Sequence, residues 1–323
     1  MRVAAIDCGT NSIRLLIADV ISMGSPLGST TYLNDVVREM RIVRLGEGVD
    51  ENKAFSQEAL RRTFEAADEY ADIIRRHGAE GIRFVATSAT RDASNKDLLT
   101  AGIHSRLGVP PEVISGEDEA ALSFAGALSS VDVAENDKVL VIDLGGGSTE
   151  FVIGSRNGVD KAISVNMGCV RFTERYLRTD PPRVADITAA RAEIRAILKS
   201  VEEVIPFHEV TKIIGVAGSV TTITAHSLGL ETYESARIDG AELTMDQYAA
   251  ATQSLLTMTR DRRAELGFMH PGRVDVIGAG ALIWQEILMR VREASNGRVD
   301  TASASEHDIL DGIALSLAAR VTL

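Results

Sequence analysis

Two stretches of this chain set carboxylates, glycines and hydroxyls at spacings suited to phosphate chemistry. The longer runs from Asp143 to Glu150 and holds three successive glycines, Gly145, Gly146 and Gly147, followed by Ser148 and Thr149. Successive glycines let a backbone turn sharply and bring its N–H groups against an anion, because no Cβ stands in the way. Ser148 and Thr149 add hydroxyl donors, while Asp143 and Glu150 are oxygen ligands of the kind a hard divalent cation takes. The shorter stretch, Asp7 to Ser12, repeats the pattern with Asp7, Gly9, Thr10, Asn11 and Ser12. A glycine-rich hairpin with a solvated acidic rim explains either stretch alone. Two of them in one chain fit a duplicated domain whose facing loops clamp one phosphate chain from both sides. A third stretch, Ser115 to Glu119, packs three carboxylates into one helical start. Those acids either complement the helix dipole or supply a base that holds water beside a phosphorus atom. Arg91 closes a polar run from Thr87, where a surface ion pair is the plain expectation.

Strands must carry both glycine loops. Val139–Ile142 and Phe151–Gly154 are short apolar runs on either side of the longer loop, and Val3–Ile6 and Ile13–Val20 flank the shorter one. Third strands are expected near Val36–Leu45 and Lys161–Asn166. In the first half a helix follows from Ser56, a natural N-cap, to Gly78, with Leu60, Phe64, Ala67, Ala71 and Ile74 at helical spacing. Strand Ile82–Ala86, a helix from Asn95 to Leu107, strand Glu112–Ile114 and a helix to Leu128 complete that half. The second half repeats the order, with a helix from Asp186 to Ile205 and a strand over Val210–Val216. The turn Ala217-Gly218-Ser219 leads into a helix, and Thr244 with Gln247 forms a capping-box pattern for a further one. The tail supplies a helix near Gly278–Glu293, a short strand near Arg298–Ala302 and a last helix from Asp308 to Leu323. This is an α/β pattern of two domains with mixed sheets, expected at 1–126 and 127–323 and flanking an interdomain cleft.

Composition narrows the function classes. The chain has 323 residues, 45% hydrophobic and 25% charged, as in an ordinary folded protein of about two domains. No run reaches the roughly 18 apolar residues of a membrane span, and the N-terminal apolar run stops at Asp7 without the h-region of a signal peptide. Two cysteines give no disulfide framework, and six scattered histidines show no zinc spacing. A cytoplasmic, reduced protein is expected. The net charge of −12 disfavours nucleic acid and anionic membrane as partners. Cys8 suits packing better than nucleophilic chemistry, and Gly278-Ala279-Gly280 lacks the third glycine of a dinucleotide fingerprint.

The paired loops and the turn at Gly218 resemble the actin, hexokinase and Hsp70 superfamily, which implies two ribonuclease-H-like domains. Within it, six pieces occur in order: Asp7 to Ser12, Arg44-Leu45-Gly46-Glu47-Gly48, Thr87 to Arg91, Ile114 to Ala120, Asp143 to Glu150 and Met167-Gly168-Cys169. Together they are similar to the exopolyphosphatase/guanosine pentaphosphate phosphohydrolase (Ppx/GppA) family. The resemblance implies Mg2+-dependent hydrolysis of a terminal phosphoanhydride, with inorganic polyphosphate as first substrate and guanosine pentaphosphate as alternative. Glu119 matches the catalytic base and Arg91 a phosphate-contacting arginine. Asp143 and Glu150 match acidic positions that imply a metal role, with Asp7 as a third oxygen ligand. Gly145, Gly146, Gly147 and Ser148 would donate to phosphate opposite Thr10, Asn11 and Ser12. Ala217-Gly218-Ser219 aligns with a third loop that contacts adenosine in kinases, or is a tight turn only. Glu306 to Gly312 departs from the family's Leu-Arg-Glu-Gly pattern. The family also suggests a homodimer, and its longer members carry further C-terminal domains, so short chains are the expected preference here. A small-metabolite kinase and a non-catalytic phosphate or alarmone sensor are the readings from other classes.

Overall fold

The computed structural model describes residues 1–25, 28–129, 131 and 133–321. The chain divides into two units, one made of Met1–Ser129 with Ile309–Leu323 and the other of Ser130–Asp308. The expected border lay at 126/127, with the last helix in the second domain. That helix, Ile309–Val321, belongs to the first unit instead. Its Ile309, Leu310, Ile313, Ala314 and Leu317 pack on Val3, Ala5, Leu16, Ala18 and Val85 and cover one face of the first sheet.

That sheet has five strands: β1 (Arg2–Cys8), β2 (Ser12–Ser25), β3 (Gly28–Ile42), β4 (Gly81–Ala86) and β5 (Glu112–Val113). Their order is β3-β2-β1-β4-β5, with β2 antiparallel to both β1 and β3, and β4 and β5 parallel to β1. Alternate residues of β1 point to opposite faces. Val3 and Ala5 meet the last helix, while Ala4 and Ile6 join Leu60, Ala67, Tyr70 and Ile74 of the helix Gln57–His77. Being covered on both sides, β1 is apolar almost throughout. The helix Gln57–His77 starts and stops as its sequence predicts. Ser56 Oγ accepts from Ala59 N–H, and Gly78 takes the left-handed conformation (φ 66°) that ends it. The helix Gly116–Leu128 lies against the last helix, so closely that a Cβ on Gly312 would stand 2.0 Å from the Leu122 carbonyl oxygen.

The second sheet repeats the plan with β6 (Val139–Leu144), β7 (Thr149–Ser155), β8 (Gly158–Val165), β9 (Lys212–Val216), β10 (Glu242–Thr244) and β11 (Thr301–Ala304). Its order is β10-β11-β9-β6-β7-β8. Without the added edge strand β10, each sheet runs third-second-first-fourth-fifth in chain order, the duplicated ribonuclease-H-like plan. Behind it the helix Ile277–Ala294 buries Leu282, Ile283, Trp284 and Ile287 beside Tyr248 and Leu255. The capping box at Thr244 and Gln247 is formed in both directions. Among the described residues no helix is long and apolar enough to cross a membrane.

Candidate active site

The first loop sits where β1 turns into β2, and the carbonyls of Thr10, Asn11 and Ser12 are each held by a backbone donor. Gly9 N–H donates to Ser12 O (3.0 Å), Gly46 N–H to Thr10 O (2.8 Å), and Val43 and Arg44 N–H to Asn11 O (3.1 and 2.9 Å). These bonds give the Arg44–Gly48 motif a structural reason. Arg44 adopts positive φ (49°), and a Cβ on Gly46 would lie 2.3 Å from the Thr10 methyl. The β1–β2 register sets Asp7 opposite Arg14. Arg14 Nε and Nη2 both donate to Asp7 Oδ2, at 3.0 and 2.7 Å. Asp7, expected as a metal ligand, therefore has a guanidinium as its near partner.

Glu119 lies in the first turn of the helix Gly116–Leu128, which Ser115 caps by accepting from Asp118 N–H (3.0 Å). Glu117 and Asp118 are exposed, as acids serving only the helix dipole would be, whereas Glu119 is buried. Arg91, from the short helix Ser88–Asp92, spends Nη1 on Glu119 Oε2 (2.7 Å) and on Ile114 O (3.1 Å). Burial raises the Glu119 carboxyl to about 7, against the lowering pull of Arg91 and of a hydrogen bond from Thr87; the Asp7 charge raises it further. A carboxylate that releases its proton near neutrality is suited to general-base work. The structure thus links Asp7, Arg91 and Glu119 within the first unit. Arg14 and Thr87 complete the group. Thr87 entered the sequence reading only as the start of the run that ends at Arg91, and Arg14 not at all, although counting the β1–β2 register from Gly9 leads to Arg14.

The second loop crosses from β6 to β7 and is braced from below by the segment after β8. Gly145 O accepts from Cys169 N–H (3.0 Å), and Gly146 O from Val170 and Arg171 N–H (2.9 and 3.1 Å). Ser148 O accepts from Gly145 N–H (3.1 Å), and Gly147 O from the buried Arg171 Nε (2.7 Å). In a trans peptide the N–H points opposite to the C=O that precedes it. The N–H groups of Gly146, Gly147 and Ser148 therefore face away from this brace, as a phosphate cradle requires. Gly168 permits the approach, since a Cβ there would stand 2.4 Å from Gly146 C and O.

Asp143 and Glu150 are direct cross-strand partners, so both side chains leave the same face of the sheet. Both are buried, and Glu150 Oε1 accepts from Ser164 Oγ (2.6 Å). Among the described residues no three His, Cys, Asp or Glu side chains gather into a metal-holding group. Two facing carboxylates nevertheless fit Mg2+, which commonly takes one or two carboxylates and completes its shell with water and substrate phosphate.

At the third loop Ala217 has positive φ (70°), and a Cβ on Gly218 would strike the Arg273 guanidinium at 2.2 Å. Arg273 Nη1 also donates to Thr222 Oγ1 (3.1 Å), a neighbour no sequence pattern pointed to. Cys8 is buried in the core and burial pushes its thiol up, in keeping with packing. Gly278 and Gly280 lie inside the helix Ile277–Ala294 and form no loop.

Residues 23–317 match the model of the Ppx/GppA phosphatase family. The chain is 45% identical over 322 residues to exopolyphosphatase 2 of Mycobacterium tuberculosis, with 98% of each chain covered. A crystal structure described as an exopolyphosphatase-like protein is 43% identical and superposes with a TM-score of 0.92, covering 99% of this chain and 100% of the other. The Aquifex aeolicus member of the Ppx/GppA family is 27% identical, with a TM-score of 0.79 over 100% of this chain and 99% of that one.

Proposed function

This chain belongs to the Ppx/GppA phosphatase family, and from that premise we propose that it is an exopolyphosphatase releasing orthophosphate from the end of inorganic polyphosphate. The observation that carries the reading is Glu119, a buried carboxylate raised to about 7 and held 2.7 Å from Arg91. In its ionised form Glu119 takes a proton from water as the water oxygen bonds to the terminal phosphorus. The P–O bond to the bridging oxygen breaks, and the shortened chain departs as the anion. Phosphoryl transfer of this kind depends mainly on positioning and charge neutralisation. Arg91 keeps the base oriented through Nη1 and turns its remaining nitrogens to a phosphate oxygen. The outward N–H groups of Gly146, Gly147 and Ser148 bind phosphate, and the Thr10, Asn11 and Ser12 loop does the same in its own unit.

Asp143 and Glu150 would hold Mg2+, which would supply positive charge against the phosphate oxygens. Asp7, with its arginine partner, serves instead to hold the Glu119 carboxyl high. Phosphate release measured in parallel on short polyphosphate, long polyphosphate, guanosine pentaphosphate and ATP tests the assignment. Polyphosphate turnover that needs Mg2+ and is lost in Glu119→Gln supports it. Preference for guanosine pentaphosphate would move the substrate within the family, and ATP-dependent phosphorylation of an acceptor would overturn hydrolysis. Full turnover by Glu119→Gln removes Glu119 from the mechanism. Asp143→Asn and Glu150→Gln are expected to raise the Mg2+ concentration needed for half-maximal rate.

A further inference from the structure

The two glycine loops are built alike, and one difference between them stands out. Gly9 N–H closes on Ser12 O in the first, and Gly145 N–H closes on Ser148 O in the second. The third residues of these four-residue turns are Asn11 and Gly147. The Asn11 carbonyl is held by two backbone donors, Val43 and Arg44 N–H. The Gly147 carbonyl is held by a side chain, Arg171 Nε at 2.7 Å.

Backbone donors have run out at that point. Cys169, Val170 and Arg171 N–H are committed to Gly145 and Gly146, and Phe172 N–H donates to Gly168 O (2.9 Å) as the helix Cys169–Arg175 begins. Only a side chain can reach the next carbonyl, and the guanidinium does so while almost fully buried (6% exposed). Fixing the Gly147 C=O fixes the peptide plane it shares with Ser148, and hence the direction of the Ser148 N–H. Without that bond the plane is free to turn, because glycine opposes neither sense of rotation.

We propose that Arg171 is a positioning residue of the phosphate loop, whose buried guanidinium holds the Gly147–Ser148 peptide so that its N–H faces the bound phosphate. The inference rests on reading this loop as a phosphate cradle. It is independent of whether the protein hydrolyses what it binds. A planar donor at Nε is the essential part, so a lysine in its place keeps the charge but lacks the group that makes the bond.

The test is calorimetric binding of inorganic tripolyphosphate to Glu119→Gln, which removes turnover, and to the same protein carrying Arg171→Ala or Arg171→Lys. The expected result is a loss of affinity of about tenfold or more in both, the size of one charge-assisted hydrogen bond. Guanidinium at millimolar concentration, well below denaturing levels, is expected to restore part of that affinity in the alanine variant. It should not do so in the lysine variant, where the space is filled. If Arg171→Ala fails to fold by circular dichroism, Arg171→Lys carries the comparison. Unchanged tripolyphosphate affinity in the folded variants overturns the proposal, as does full affinity in Arg171→Lys. Absence of tripolyphosphate binding by Glu119→Gln itself also overturns it. Absence of polyphosphate hydrolysis by the unmodified protein, with the binding losses intact, overturns the proposed activity and leaves the role of Arg171 standing.

Discussion

Replacing Glu119 by Gln removes the proposed base and also relieves the fold of a buried charge, so activity and stability are expected to move in opposite directions. The carboxyl rises from 4.5 to about 7 on folding, chiefly through burial. At about 1.4 kcal/mol per pH unit, keeping it ionised costs the folded protein about 3 kcal/mol. Between those two pH values the folded protein holds a proton that the unfolded chain has released. Stability therefore falls as pH rises from about 4.5 and levels off above about 7. Gln is neutral at every pH, close in shape to the protonated acid, and still offers Arg91 an oxygen. Urea unfolding should find Glu119→Gln more stable than the unmodified protein by about 3 kcal/mol at pH 8. The gain shrinks to about 1 kcal/mol at pH 5 and vanishes below pH 4. In parallel, phosphate release by the unmodified protein should climb with pH to half its plateau near pH 7, and the variant should release none. A variant no more stable than its parent at pH 8 would refute the reasoning, because Glu119 would then not be a charge held against its own desolvation.

Asp7→Asn removes a negative charge that raises Glu119, so the midpoint of the pH–rate profile should move towards acid; no movement would detach Asp7 from the base. Gly168→Ala puts a Cβ 2.4 Å from the Gly146 backbone and displaces the glycine loop proposed to bind phosphate. A fall in kcat/KM of about 100-fold is expected with the fold retained, the scale of a misplaced reacting group. Gly312→Ala drives a Cβ to 2.0 Å from Leu122 O and forces the last helix off the helix that carries Glu119. It should cost about 2 kcal/mol in thermal unfolding and lower phosphate release as well.

Much of this arrangement was legible because it is written locally. Ser56 and Gly78 mark the ends of their helix by capping chemistry, and Thr244 with Gln247 does the same, so these boundaries need no tertiary information. The apolar runs around both glycine loops gave the hairpins, and hairpins fix register, which is why Asp143 and Glu150 fall opposite one another. What stayed hidden depends on contacts between distant segments. The last helix announces an apolar face, and periodicity says that a face is buried without saying against what. The reach of β2 and β3, paired from Ser12 opposite Ile42 to Ser25 opposite Gly28, is carried by backbone bonds beyond the apolar stretch that announced β2. Arg171 is one arginine among many until the direction of the glycine loop is known. Glu119 and its exposed neighbours Glu117 and Asp118 look equivalent as letters; the family resemblance picked out Glu119, and its burial is the physical difference that sets it apart from the other two.

The duplication explains why two similar loops need not do the same work. In each unit an aspartate precedes the loop and a hairpin partner stands seven residues later, Asp7 with Arg14 and Asp143 with Glu150. In the first unit that partner is a cation, and it donates twice to the aspartate. In the second it is another anion, and two carboxylates directly opposed across a hairpin repel each other. A divalent cation gains more from the second arrangement than from the first, where it would have to displace a guanidinium at 2.7 Å. One substitution at the partner position is thus enough to divide the roles. The first hairpin is left to tune the nearby Glu119 carboxyl through the Asp7 charge, while the second sets two carboxylates beside the proposed phosphate cradle. On this argument Arg14→Glu, which recreates the second arrangement in the first unit, should push the Glu119 midpoint further towards alkaline pH at low Mg2+. Raising Mg2+ should bring the midpoint back. A midpoint indifferent to Mg2+ in that variant would show that opposed carboxylates alone do not make the cation site.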